Sequence, residues 1–271
     1  MANNLDHQLS IEVFETGQQS CEESFIDCRS YHYIRPILRR INAVTSPYSH
    51  YDFYRTAVGE ATHDLGHVDV IISGSADYSW LLEESPLLDG LAQSGSKAHI
   101  KIVDGCHTPT NFSVRAARCA SVCVAEGSTQ NIPMFLSAKN SSDLIITDAF
   151  LTQFEDKNDR IAVLREWKRC LKIGGFVITT AQIARDNYPR NAVTTKTFVE
   201  NVVGLYKGSE YPDQLRMSGG EFASEVEQYA LPTKSRVYKN EPELTEEITA
   251  AGLSIVDISA NSITRSLQES F

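Results

Sequence analysis

The chain has six cysteines but no CxxC pair, and Cys21, Cys28, Cys106, Cys119, Cys123 and Cys170 sit mostly within apolar or helical patterns. They read as reduced thiols of a cytoplasmic protein. Basic residues are outnumbered: 25 Lys+Arg against 35 Asp+Glu leave a net charge of −10. That balance disfavours a broad phosphate-tracking surface, so no nucleic acid is expected as a partner. No apolar run approaches the roughly 18 residues that would span a bilayer, so no membrane is expected either. The opening MANNLDHQLSIEVFE lacks a basic start followed by an apolar core, and no secretory signal is expected. No internal repeat or low-complexity segment is visible.

What remains is an ordinary core-forming composition, 42% hydrophobic and 22% charged over 271 residues. It suits one large α/β domain with an appended subdomain. Val68 to Leu82 is the organising stretch: a β-branched run, Val70-Ile71-Ile72, stops at Ser73-Gly74-Ser75-Ala76 and gives way to a helical pattern. A buried parallel strand that feeds a helix through small residues lets a nucleotide-like ligand approach the backbone, although any α/β protein has such turns.

The rhythm then repeats. A second strand, Ala98 to Val103, ends at Asp104-Gly105, where a carboxylate suits a ribose diol or simply closes a turn. A third strand is expected at 121–125, a fourth at Asp143 to Asp148, an amphipathic helix over 156–171 and a fifth strand at Phe176 to Thr180. A helix from Glu243 to Ala251 should end at Gly252, followed by a strand from Leu253 to Ile258.

Residues 1–66 read as an N-terminal helical cap of several short helices broken by Pro36 and Pro47. Its aromatics, Tyr31, Tyr33, Tyr48, Tyr51, Phe53 and Tyr54, either cover a sheet edge or form a lid that holds a cationic ligand. Arg35 and Arg55 are placed to pair with a carboxylate. Residues 67–271 form the main domain, with 184–242 as a turn-rich insertion on the substrate side.

Taken together, the units from Val68 to Ser259 resemble the class I S-adenosylmethionine-dependent methyltransferases. The turn Ser73-Gly74-Ser75-Ala76 stands where that family has its Gly-rich cofactor loop, and Asp104 matches its ribose-binding acid. Gly127-Ser128-Thr129, continuing to Phe135, looks like the adenine-side motif. Asp148-Ala149-Phe150-Leu151 and Leu171-Lys172-Ile173-Gly174-Gly175 resemble the late strand and the LKPGG turn. The resemblance implies a Rossmann-like, doubly wound, mostly parallel sheet and S-adenosyl-L-methionine as cofactor. The cofactor would be held by Ser73, Gly74, Ser75, Ala76, Asp104, Gly105, Cys106, Gly127, Ser128, Thr129, Asp148 and Phe150.

The chain departs from the pattern where Ile72 or Ser73 replaces the strand acid, Ala76 and Tyr78 replace glycines, and Ser128 replaces an Asp. The amino-acid end must then be held differently, with Asp77 or Asp148 as substitutes. Methyl transfer to a small-molecule acceptor is the expected reaction. Intramolecular cyclisation of the cofactor, as in azetidine-2-carboxylate synthases, is the alternative, and a non-catalytic binding protein the third. Gln153, Tyr188 and Ser218, with Tyr31 from the aromatic segment, are the candidate catalytic polar groups. A nicotinamide oxidoreductase is disfavoured, because the turn lacks G-x-G-x-x-G. No metal is expected: His63 and His67 are spaced four apart but interrupted by Gly66, with no third ligand evident. Cys106 and His107 are sequence neighbours that rarely make a nucleophile–base pair. A homodimer is left open.

Overall fold

The computed structural model describes residues 2–22, 28, 30–117, 123–130, 138–183, 195–230 and 237–259. At its centre lie five parallel strands, β1 (His67–Ser73), β2 (Lys97–Asp104), β3 (Cys123–Thr129), β4 (Ser142–Ile146) and β5 (Leu171–Ile178), in the order β3-β2-β1-β4-β5. Val70 sits in register with Ile100 on one side and Leu144 on the other. Successive side chains of a strand point to opposite faces, and a parallel sheet is covered on both. Accordingly Val70, Ile72, Ile100 and Ile146 enter one core, and Ile71, Val103 and Ile145 another. This is the Rossmann-like α/β architecture.

The larger core takes α1 (Ala2–Glu22), α2 (Tyr31–Arg40), α3 (Tyr51–Ala61), α4 (Pro86–Ser94) and α5 (His107–Ala117). The smaller holds α6 (Lys157–Cys170). Three later helices, α7 (Thr195–Lys207), α8 (Tyr211–Leu215) and α9 (Gly219–Ala230), extend the larger core through Val202, Tyr206 and Phe222. α10 (Glu241–Ala250) packs beside α6 through Ile248 and Ala251. None of the described helices is long and apolar enough to cross a membrane.

Local chemistry sets the helix ends. Ser85 caps α4 by accepting from the Leu88 N–H at 3.3 Å, Pro86 follows it, and Gly95 closes the helix at φ +72°. Asp156 and Asn240 cap α6 and α10 in the same way. α3 and α4 pack so closely at Gly90 that a Cβ there would lie 2.7 Å from Val58 Cβ and 2.8 Å from the Arg55 carbonyl. Gly90→Ala is therefore expected to lower stability by about 1–3 kcal/mol, because one neighbour is backbone and cannot step aside. Urea unfolding would measure it.

Several expected boundaries move. Pro36 lies inside α2 rather than ending it. Ile34, Ile37 and Leu38 are wholly buried around it, and their packing outweighs the roughly 3 kcal/mol that an interior proline opposes. The LKIGG segment is no separate turn. Leu171 already pairs with Ser142, the strand bulges, and pairing resumes at Leu144 with Phe176. Lys172 is drawn in because its Nζ reaches both Asp69 and Asp143 at 2.8 Å. β3 runs further than expected, so Gly127, Ser128 and Thr129 are strand residues, not a loop. A Cβ at Gly127 would stand 3.1 Å from the Thr110 carbonyl, close enough that α5 would have to give by a few tenths of an ångström. Among the described residues no strand pairs with Leu253 to Ile258, where a strand is expected, and Val256 is 79% exposed.

Candidate ligand-binding site

After β3 the chain passes to the far side of β1, so the carboxyl ends of β1 and β4 form the switch point of the sheet, where crevices of such folds open. The turn after β1 is tightly specified. The Ser73 hydroxyl is buried and accepts from Trp167 Nε1 at 3.0 Å. Gly74, at φ +67°, donates its N–H to the Val103 carbonyl at 2.9 Å. No side chain fits at Gly74, because the Phe150 ring lies 2.1 Å from where its Cβ would be. Ser75 Oγ donates to the Asp77 carbonyl at 2.5 Å, and the Asp77 carboxylate caps the 3₁₀ helix Tyr78–Leu81 through the Ser79 N–H.

Between this turn and Asp148 lies a narrow cleft with only about 10 Å³ of open space, walled by Gly74, Ala76, Asp77, Ser79 and Trp80 on one side and by Arg35 and Pro47 from the helical segment on another. Arg35 donates to the Tyr229 hydroxyl at 3.1 Å and to the Thr45 carbonyl at 2.9 Å. Burial works against its charge, but the Tyr31 and Tyr229 hydroxyls and the Asp77 and Asp148 carboxylates hold the guanidinium protonated. Asp148 Oδ1 accepts from Thr180 Oγ1 at 2.6 Å, and the Tyr54 hydroxyl, whose shortest bond is to the Thr147 carbonyl at 2.7 Å, lies 3.2 Å from it. Burial and the Asp148 charge push the Tyr54 phenol up, so it serves as a neutral donor. The cleft thus carries a cation and an anion on separate elements. A larger open depression, about 280 Å³, lies between Arg40 and Tyr211 and includes none of the candidate residues.

Of the predicted cofactor residues Gly74, Ala76 and Asp148 line the cleft, whereas Ser73 and Ser75 are fully buried beneath it and Phe150 packs against Gly74 outside its lining. Asp104 stands at the end of β2 as expected but is only 4% exposed. Its Oδ1 accepts from the Cys106 N–H at 2.9 Å and lies 3.8 Å from His32 Nε2; it does not line the cleft. Burial lifts its carboxyl to about 6. Gly105 and Cys106 are buried beside it. Ser128 accepts from Gln130 Nε2 at 2.5 Å, and Thr129 shares a 3.0 Å hydrogen bond with Thr110. Gln153 is exposed on the 3₁₀ helix Phe150–Gln153. Ser218 is also exposed, bonded to Glu221 at 2.7 Å. Tyr31 stacks on Tyr229 with centroids 5.2 Å apart and lies under Arg35. Tyr188 lies outside the described residues.

Two contributors were not legible as site residues: Trp80, packed edge-on against Tyr54 at 4.7 Å, and Arg39, whose Nε donates to Asp77 at 3.0 Å. Arg39 takes Asp77 out of contention as a ligand partner. Arg55 pairs with Asp52 at 3.6 Å and does not reach the cleft.

No family model matches the chain, and no curated protein does. Solved structures do. PigF with SAH is 13% identical, with 84% of this chain and 56% of that one covered at a TM-score of 0.49. The YcgJ protein from Bacillus subtilis is 13% identical, covering 74% and 68% at a TM-score of 0.44. A SAM-dependent methyltransferase from Methanosarcina mazei is 15% identical, covering 69% and 79% at 0.42. Little more than half of the PigF chain is spanned.

Proposed function

We propose that the switch-point cleft holds the amino-acid end of S-adenosyl-L-methionine and that the chain is a transferase using that cofactor, with methyl transfer to a small-molecule acceptor as its reaction. The observation that carries this reading is the opposed pair Arg35 and Asp148 at the ends of β1 and β4, which suits a zwitterion's carboxylate and ammonium. The motif order in the sequence supports the choice of cofactor.

The fit is to one end of the cofactor. The open space of about 10 Å³ is room for roughly one water, far below the roughly 300–1,000 Å³ that encloses a whole drug-sized ligand, so the walls must part to admit even that end. Asp104, turned to His32 and Cys106, offers the ribose nothing as it stands. When bound, the cofactor supplies an already activated carbon beside a positive sulfur. What the chain must then do is orient and exclude water. Arg35 anchors the carboxylate, Asp148 holds the amine while braced by Tyr54 and Thr180, and Trp80 and Phe150 keep the turn dry.

The closeness of the walls favours a second reading, intramolecular cyclisation, which needs no acceptor pocket. Mass spectrometry of protein incubated with S-adenosylmethionine separates the two. S-adenosylhomocysteine released only with an acceptor supports methyl transfer, methylthioadenosine from the cofactor alone supports cyclisation, and binding without either product leaves a non-catalytic binding protein. Asp148→Asn keeps an oxygen for Tyr54 and Thr180 but loses the charge. It should weaken cofactor binding roughly 10- to 100-fold, the effect of a lost charge-assisted hydrogen bond, as read by calorimetry.

A further inference from the structure

Four side chains that the cleft does not use converge beside Asp104. Cys21 lies in the last turn of α1, Cys28 follows that helix, His32 is on α2, and Cys106 immediately precedes α5. All four are buried, and one donor atom from each lies within 4.8 Å of every other. Cys21 Sγ and Cys28 Sγ each stand 3.6 Å from Cys106 Sγ. That is too far for a disulfide, whose sulfurs lie about 2.05 Å apart, and the thiols are free. It matches thiolates around one ion: with zinc–sulfur bonds of about 2.3 Å, the edge of a tetrahedron is about 3.8 Å.

His32 completes the set. Its Nδ1 is buried without a hydrogen-bond partner, and its Nε2 faces Asp104 Oδ1 at 3.8 Å. A buried ring nitrogen left without a partner is destabilising unless something binds it. The ring also hydrogen-bonds to the Cys106 and Cys21 thiols, so it stands against the sulfurs with the Asp104 carboxylate beside it, the kind of outer partner that orients a metal-bound imidazole.

We propose that Cys21, Cys28, His32 and Cys106 form a tetrahedral structural zinc site. Three thiolates and an imidazole suit zinc, and four protein donors with no access for water make the site structural rather than catalytic. With three thiolates around a divalent ion the site carries one net negative charge, next to the N-terminus of α5, where the helix dipole favours it. Thr108 Oγ1 donates to the Gly17 carbonyl at 3.0 Å and lies 3.1 Å from Cys21 Sγ, so it becomes an outer partner of that thiolate by turning its proton from the carbonyl to the sulfur. The ion ties the N-terminal helices to the carboxyl end of β2 and explains why Asp104 turns inward. This holds whatever occupies the cleft.

The test is metal analysis of full-length protein purified without chelators. About one zinc per chain is expected in the wild type and in Cys123→Ser, which lies outside the cluster, and less than about a tenth in Cys28→Ser and Cys106→Ser. Should the latter two fail to fold, cobalt exchanged into the wild type supplies an independent readout, with the intense absorption of a tetrahedral thiolate site expected. Wild-type protein free of zinc and without that cobalt spectrum would overturn the proposal. So would full zinc content in both serine variants, iron accompanied by acid-labile sulfide, or a disulfide among the three cysteines in a non-reduced peptide map.

Discussion

Glu247→Ala is expected to lower the unfolding free energy by about 3–5 kcal/mol, the effect of stranding a buried charge. Arg160 and Glu247 are both fully buried, joined by Nε to Oε2 at 2.9 Å and by a second guanidinium bond at 2.5 Å. The Arg160 fork also reaches the Phe154 and Glu155 carbonyls at 2.8 Å, while Tyr238 donates to Glu247 at 3.2 Å. The pair therefore joins α6, α10 and the loop below Phe150 in one network. Without the carboxylate, Arg160 stays buried and positive. A matched variant, Arg160→Met with Glu247→Leu, removes both charges and is expected to lose less than Glu247→Ala alone. Urea unfolding of the three proteins measures the order, and equal losses would show that packing, not charge, dominates.

Arg39→Met is expected to have an effect of similar size, about 3–5 kcal/mol, and to act directly on the candidate site. Arg39 donates to Asp77 at 3.0 Å and to both oxygens of Asp6, at 3.0 and 2.5 Å, thereby pinning the turn after β1 to α1 and α2. Burial raises the Asp6 carboxyl, but hydrogen bonds and charge from Arg39, together with Arg40, overcome it and hold it below its ordinary value of 3.8. A depressed carboxyl stabilises the fold fully above that ordinary value and loses its contribution as pH falls through the lower folded one. Wild-type stability should thus fall as pH drops below about 4, and Arg39→Met should lose much of that dependence. Thermal melts across pH 2 to 7 would show whether the two slopes differ as stated.

The sheet was legible because its strands are short β-branched runs bounded by small or acidic residues, as at Val70-Ile71-Ile72 and Ile145-Ile146. The turn at Gly74 was legible for the same reason. Direction was not. Asp104 was placed at the correct strand end, yet nothing in its neighbours says that its carboxylate turns toward His32, which arrives from a helix of the N-terminal segment. Lys172 hid the bulge of β5, because its two carboxylate partners belong to other strands. The cysteines read as reduced thiols, and nothing in their spacing joins them. Cys28 and Cys106 are 78 positions apart, and only the packing of α1 and α2 against α5 brings them together. Leu253 to Ile258 reads as a strand, but a strand requires a neighbour, and none of the described strands pairs there.

The central claim is that the ends of β1 and β4 hold the amino-acid end of a sulfonium nucleoside. Equilibrium dialysis of the full chain against radiolabelled S-adenosylmethionine tests it most directly, with Arg35→Met alongside. Saturable binding is expected of the wild type, with an affinity lower by roughly 10- to 100-fold in the variant and unchanged zinc content. Wild-type protein that binds nothing, or a variant that binds as tightly as the wild type, would contradict it.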